Sequence, residues 1–296
     1  MAAHPDSSVL QEHGCAMLGN QASQAEAQQR ALVEMGAVRA VTKSMRDHPD
    51  NVKVQETACW ALREFAVHSE GRHAVQAADG IELVLQAMRD HVGAAPVLEH
   101  GCMALAYLSC EAGPRRSVAQ AGGIAAVLRG MRGFPEDPVV QEAGCLALRN
   151  LGCSREHRRA ADELHSDREI LQCMRMHAGS AALQETALDA LLVLSLPPEQ
   201  MAETSALELA LHAAELHRVE GLHAKVCLLI AYLGKAGEPA RAQLADFAAA
   251  DFLRRAEDAF PGSWQVRDAA GSARRVLAQF DQTVVDGLEH AFAQEA

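Results

Sequence analysis

Val54-Gln55-Glu56-Thr57-Ala58-Cys59-Trp60-Ala61-Leu62 decides the fold, because it returns. It comes back as Val97-Leu98-Glu99-His100-Gly101-Cys102-Met103-Ala104-Leu105, and then as Val140-Gln141-Glu142-Ala143-Gly144-Cys145-Leu146-Ala147-Leu148. A further copy, Leu183-Gln184-Glu185-Thr186-Ala187-Leu188-Asp189-Ala190-Leu191, keeps the same step of 43 residues. A second landmark, Met45-Arg46, Met88-Arg89, Met131-Arg132 and Met174-Arg175, runs 14 residues ahead of the first in the same register. Cys15 extends the series upstream, and Cys227 and Gly271 extend it downstream in weaker copies. A period near 40 to 47 residues is the signature of stacked helical units, each too small to bury its own apolar face.

Within a unit the apolar spacing is helical. Ile81, Val84, Leu85 and Met88 follow i, i+3, i+4, i+7, and Val97, Gly101, Cys102, Leu105 and Leu108 make a second stripe. Arg72 to Ala78 leaves room for a short leading helix, with a break expected at Gly80 and punctuation at Gly93 and Pro96. Asp137 reads as an N-cap with Pro138 in the first helical position, where a missing N–H costs nothing. Alternating strand patterns are absent. Hydrophobic residues make up 49% of the chain and aromatics only 4%, a balance that suits close-packed Ala- and Leu-rich helices.

The net charge of −12 over 296 residues is the wrong sign for a nucleic-acid binder or an anionic-membrane binder, and suits basic partners or simple solubility. The longest apolar run, Val226 to Leu233, is far shorter than the roughly 20 residues of a spanning helix. No signal-peptide pattern opens the chain. The eight cysteines form no C-x-x-C pair, so we expect a reduced protein, cytoplasmic or nuclear and not secreted.

Gly122-Gly123-Ile124 before a second helix, and the run Gln141 to Leu151, make the unit resemble the armadillo-repeat family. The resemblance covers residues 8–196 well and 197–280 loosely. It implies an all-α, right-handed α–α superhelix, an armadillo-like solenoid over 1–296. We expect about six units, a partial unit at the N-terminus and a capping helix over 281–296. Val284, Val285, Leu288 and Phe292 supply that cap's stripe, and Arg274 stands where Leu62, Leu105 and Leu148 stand earlier. His4-Pro5-Asp6 matches His48-Pro49-Asp50, so the chain opens in the loop before a third helix and leaves an apolar flank. A longer natural N-terminus, a covering subunit and a fraying half-repeat all account for this.

Candidate chemistry dissolves into the repeat. Cys15, Cys59, Cys102, Cys145 and Cys227 share a column that Leu188 also fills, so packing outweighs metal binding, and stacked units hold equivalent positions roughly 10 Å apart. Of 14 histidines, His48, His91 and His177 recur at the end of the second helix, where an imidazolium meets the negative end of the helix dipole; Phe134 shares their column. Arg115-Arg116, Arg158-Arg159, Arg254-Arg255 and Arg274-Arg275 read as solvated faces. No phosphate loop, catalytic ordering or metal cluster presents itself, so no catalytic residue, metal, cofactor or small-molecule substrate is expected.

The resemblance implies that third helices line a groove in which extended peptides lie. The positions one and five after the Cys column are Ala16 and Asn20, Trp60 and Glu64, Met103 and Tyr107, Leu146 and Asn150, Asp189 and Val193, Leu228 and Tyr232. With their neighbours, they nominate Asn20, Trp60, Arg63, Glu64, Met103, Tyr107, Arg149 and Asn150 as partner-binding residues. Asn can bond both sides of an extended backbone, and Trp and Tyr are common anchors. Nuclear-import adaptors carry Trp and Asn together at these places; here Trp is found only at Trp60, and Asn only at Asn20 and Asn150. Trp60 packing between units is the alternative. Three readings follow: a non-catalytic scaffold or adaptor that binds a partner peptide or helix, possible basic and extended segments included; a structural arm of a larger assembly; and the recognition region of a longer protein of ubiquitin-ligase or kinase type. A nuclear-import cargo adaptor stands behind these.

Overall fold

The computed structural model describes residues 1 and 3–294, with side chains at all of these except 238, 239 and 280–294. The described residues are helical throughout and contain no strand. They divide into two compact units, Met1–Met176 and His177–Ala296.

The first unit opens with α1 (Ser8–Ala22). Three triplets follow at a constant step: α2 (Glu26–Glu34), α3 (Ala37–Asp47) and α4 (Val52–Phe65); α5 (Ser69–Ala77), α6 (Gly80–Asp90) and α7 (Ala95–Leu108); α8 (Ala112–Gln120), α9 (Gly123–Gly133) and α10 (Pro138–Leu151). Helices α11 (Arg155–Glu163) and α12 (Ser166–Met176) begin a fourth. Third helices pack on third helices, α1 on α4, α4 on α7 and α7 on α10. First and second helices stack likewise, so the unit is a three-layer ladder of repeats. The second unit holds α13 (Ala181–Leu194), α14 (Pro198–Ala202), α15 (Ala206–Leu216), α16 (Glu220–Leu233), α17 (Glu238–Asp246), α18 (Ala249–Ala259) and α19 (Trp264–Gln294). Only α14 falls far short of its class, at 5 residues against the usual 9. Helix α19 passes residue 281 without a break, so the segment expected as a cap continues it; the stripe Val284, Val285, Leu288 and Phe292 lies outside the described side chains.

The core is the two columns read from the sequence. Cys15, Cys59, Cys102, Cys145, Leu188 and Cys227 are all 0% exposed. Burial pushes the Cys59 and Cys102 thiols up to about 12, the direction expected when a thiolate loses its water. In two repeats the second-helix methionine lies over a glycine of the third helix. A Cβ at Gly101 would stand 2.6 Å from Met88 Cγ, and one at Gly144 2.5 Å from Met131 Cγ. The methionine side chain occupies the space beside each of these glycines.

Two turn devices repeat. First and second helices meet at a left-handed residue: Gly36 (φ 81°), Asp79 (φ 57°), Gly122 (φ 84°), His165 (φ 54°) and Ala248 (φ 49°). The break expected at Gly80 therefore falls one residue earlier, and Gly80 opens α6. The ends of α3 and α9 are each held by a glutamine of the following third helix. Gln55 Nε2 donates to Met45 O (3.0 Å) and His48 O (2.9 Å), and Gln141 Nε2 to Met131 O (2.7 Å) and Phe134 O (2.9 Å). Gln11 Nε2 does the same to Met1 O (3.0 Å) and His4 O (2.8 Å). Residues 1 and 4 thus hold the places of Met45 and His48, and the described residues ahead of α1 are turn and loop, as the sequence suggested. Asp137 caps α10 as expected, its Oδ1 accepting from Val139 N at 2.9 Å.

The histidine column sits at second-helix ends, but its rings do not serve their own helix. His48 Nε2 bonds Pro5 O (2.7 Å), His91 Nε2 bonds Pro49 O (2.8 Å) and, in the second unit, His217 Nε2 bonds Ala178 O (2.7 Å). These three rings reach the loop of the preceding repeat with Nε2–H donating to a backbone carbonyl, a repeat-to-repeat link rather than a cap on their own helix. Arg115 also departs from expectation: its Nη1 donates to Ser109 O (3.2 Å), as Arg72 Nη1 does to Ala66 O (3.1 Å), closing the end of the preceding third helix.

Candidate functional site on the third-helix face

The nominated residues lie on α1, α4, α7 and α10 of the first unit, in columns flanking the buried Cys column. The helices carrying them are fixed from behind by fully buried Leu62, Leu105 and Leu148. Trp60, Arg63, Glu64, Met103, Tyr107, Arg149 and Asn150 are half-buried; Asn20 is exposed near the end of α1.

Trp60 leans on the preceding third helix. A Cβ at Gly19 would meet its ring at 2.7 Å, so the indole covers Gly19 and keeps its remaining surface outward. Packing between units is thus part of its role. Arg63 grips Glu64 Oε1 through Nη2 (2.5 Å) and Nε (2.9 Å), and its Nη1 faces Glu99 Oε1 on α7 at 3.9 Å. Asn150 Nδ2 donates to Ala106 O (2.9 Å) and to Cys110 Sγ (3.5 Å), bracing the end of α7. The structure therefore joins Arg63 to α7, with Glu64 held by Arg63 on α4, Trp60 to α1 and Asn150 to α7, while Asn20 stands apart from these contacts.

Two residues in this cluster were missed by the sequence reading. Glu99 is raised above the usual carboxylate range by burial, against the pull of Arg63. His100 is pushed down to about 4, first by burial and then by the Arg63 charge. Its Nδ1 is buried without a hydrogen-bond partner, 3.4 Å from Glu99 Oε1. The available signal was the column itself, which holds Thr57, Ala143 and Thr186 at the equivalent places. Among the described residues no group of three or more His, Cys, Asp or Glu could hold a metal ion, and no helix is long and apolar enough to cross a membrane.

Among the solved structures that align with this chain are three engineered proteins. One, a crystal structure from the Northeast Structural Genomics Consortium, aligns with a TM-score of 0.68 at 19% identity over 88% of this chain and 62% of that one. The chain thus spans less than two thirds of that protein's length. A second from the same consortium aligns with a TM-score of 0.50 at 17% identity over 93% and 92% of the two chains. A third aligns with a TM-score of 0.50 at 19% identity over 92% and 93%. At such identities the likeness carries the fold alone. No curated protein matches. The family described as LRRK2 ARM repeat matches residues 1–224, well over half the chain. The chain is accordingly a helical repeat protein that belongs to the LRRK2 ARM repeat family.

Proposed function

We propose that the chain is a non-catalytic interaction scaffold whose third-helix face in the first unit binds an extended segment of a partner protein. One observation carries the reading. Next to columns filled by interchangeable aliphatic residues runs a half-buried face of Trp60, Arg63, Glu64, Met103 and Tyr107, which differs from repeat to repeat. Fold requirements explain the first set and only part of the second, in which Trp60 also covers Gly19 and Arg63 also faces Glu99. Aromatic rings on rigid helices offer contact area at little entropic cost. Glu56, Glu99 and Glu142 on the same helices, and the chain's net charge of −12, favour a basic segment. The helical repeat fold is typical of such scaffolds, and a reducing, cytoplasmic setting remains part of the proposal.

The test uses purified protein against an array of extended peptides of graded charge. Basic peptides are expected to bind, and Trp60→Ala with Tyr107→Ala to weaken them at least tenfold at unchanged helicity. Undiminished binding by the double variant would count against the face.

A further inference from the structure

We infer that the first helices carry a second interaction surface: a ladder of arginines on α8 and α11 that binds an extended acidic segment of a partner protein. The fifth residues of the first helices are Arg30, His73, Arg116 and Arg159, at the constant step of 43, and all four are exposed. The fourth residues, in the same register, are Gln29, Arg72, Arg115 and Arg158. The helical period sets Arg116 opposite the buried Pro114 and Val118 of α8, and Arg159 opposite the buried His157 and Ala161 of α11. Arg155, exposed and one turn before Arg159, joins the same outward face.

The earlier repeats show what this ladder takes. Arg30 Nε donates to Glu70 Oε2 at 2.7 Å, a carboxylate supplied by the next first helix. Arg72 Nε donates to Glu111 Oε2 at 3.0 Å, and Glu111 Oε1 lies 3.6 Å from His73 Nε2. The chain thus seats its own glutamates, one repeat on, against the cations of α2 and α5. That supply then stops. One step after Glu111 stands Ser154, which caps α11 through His157 N at 3.2 Å. Arg116, Arg155, Arg158 and Arg159 make no ion pair and no side-chain hydrogen bond among the described residues. Arg155 and Arg159 are like charges four apart on one helix, so they repel. Packing of α11 rests on His157 and Ala161 and does not call for either cation.

The chemistry of the occupant follows from the columns. A guanidinium takes a carboxylate through two parallel hydrogen bonds. Packed helices stand roughly 10 Å apart, and an extended chain advances about 3.3 Å per residue. Carboxylates three residues apart therefore meet Arg116 and Arg159 in turn. A nucleic acid or an anionic membrane suits the surface less. Glu156 and Glu163 flank the arginines on α11, and the chain as a whole carries −12, so a continuous array of phosphates is repelled around the ladder. A short acidic segment engages the arginines and avoids that field.

The probe is a labelled synthetic peptide of Gly and Ser with Glu at every third residue, read by fluorescence anisotropy beside the same peptide with Gln at those places. The Glu peptide is expected to bind, less tightly as salt is raised, and the Gln peptide not to bind. Arg116→Glu with Arg159→Glu should weaken binding at least tenfold. Ser154→Glu returns to Arg115 and Arg116 the carboxylate that Arg72 and His73 already have, and should weaken binding as an internal competitor. Trp60→Ala with Tyr107→Ala should leave binding unchanged, which separates this surface from the third-helix face. Arg116 and Arg159 are exposed, and unchanged circular dichroism confirms the fold of each variant. Absence of binding, equal binding of the Gln peptide, or undiminished binding by the Arg116→Glu, Arg159→Glu variant would overturn the inference. So would tighter binding of single-stranded DNA or of phosphatidylserine vesicles than of the Glu peptide, which would assign the arginines to a polyanion or a membrane.

Discussion

Replacing Gln141 by Leu should destabilise the first unit by about 1–3 kcal/mol, the cost of leaving a buried backbone acceptor unpaired. Gln141 is 2% exposed, and its amide serves Met131 O at 2.7 Å and Phe134 O at 2.9 Å. The two losses are unequal. Phe134 O keeps a second donor, Asp137 N at 3.2 Å. Met131 O does not, because the residue four places on is Pro135, which has no amide hydrogen. The same pairing holds at Met45, Pro49 and Gln55 and at Met1, Pro5 and Gln11. In the remaining repeat of this unit Val92 stands in place of proline, and Leu98, 0% exposed, in place of glutamine. Leucine therefore fits the site sterically, and the substitution isolates the hydrogen bonds from any cavity. Ala178 precedes Gln184 without a proline, so glutamine is sufficient but not tied to it. Urea unfolding at constant slope gives the magnitude, and amide exchange in α9 and α10 gives the location. Pro135→Ala restores an amide and should recover part of the loss in a double-mutant cycle. A change below about 0.5 kcal/mol for Gln141→Leu, within the range of an uninvolved site, would refute the reasoning.

Three further outcomes follow from the same structure. His100 is neutral in the fold, with its pKa pushed down to about 4. The stability it permits is therefore complete above its ordinary value near 6.5 and falls as pH drops from there towards 4, by up to about 3 kcal/mol. His100→Thr, the residue of the equivalent Thr57 and Thr186, should flatten urea midpoints across that window, and an unchanged slope would remove His100 as its cause. His165→Gly should raise stability by about 0.5–1 kcal/mol and Gly122→Ala lower it by about 1 kcal/mol, since both sit at positive φ; calorimetry showing the opposite order would defeat the account of the turn. Cys110 and Cys153 are exposed while the other six thiols are buried, so a disulfide-exchange reagent should titrate two thiols quickly and six only on unfolding.

The fold was legible because a repeat presents the same physical problem many times. Each copy of the Cys column faces the same neighbours, so a single period predicted the burial of Cys15, Cys59, Cys102, Cys145 and Cys227 together. Helix ends were less legible. Asp137 announces itself as a cap because the acceptor and its donors are local. His48, Arg115 and Gln55 bond carbonyls 43, 6 and 10 residues away, and no local pattern separates such a reach from a solvated side chain. The third-helix face was located by family resemblance, but Arg63 reaching Glu99, and Asn150 holding the end of α7, depend on the spacing between stacked helices, which the period does not encode.

A repeat also separates structural from functional residues by a physical criterion. Where every unit must solve one packing problem, residues that solve it interchange freely, as Cys and Leu188 do in one column. A residue that breaks its column without relieving a packing demand has been placed for another reason, or for a neighbour's break. Cys173 shows the second case: the places facing the Cys column are Ser44, Ala87 and Gly130 elsewhere, and Cys173 meets Cys145 with their sulfurs 3.9 Å apart. Both thiols lie in the core, and Cys145 is held well above the ordinary thiol range by Cys173 and by burial, so this break changes packing and offers no nucleophile. Trp60, His100 and Met17 differ because each reaches or borders the surface. His100 keeps a buried ring nitrogen unbonded, and Met17 leaves a thioether 61% exposed where α4, α7 and α10 have alanine. The unbonded ring nitrogen of His100 lies beside the third-helix face on which we place the partner, a local cost that the equivalent Thr57, Ala143 and Thr186 show to be avoidable.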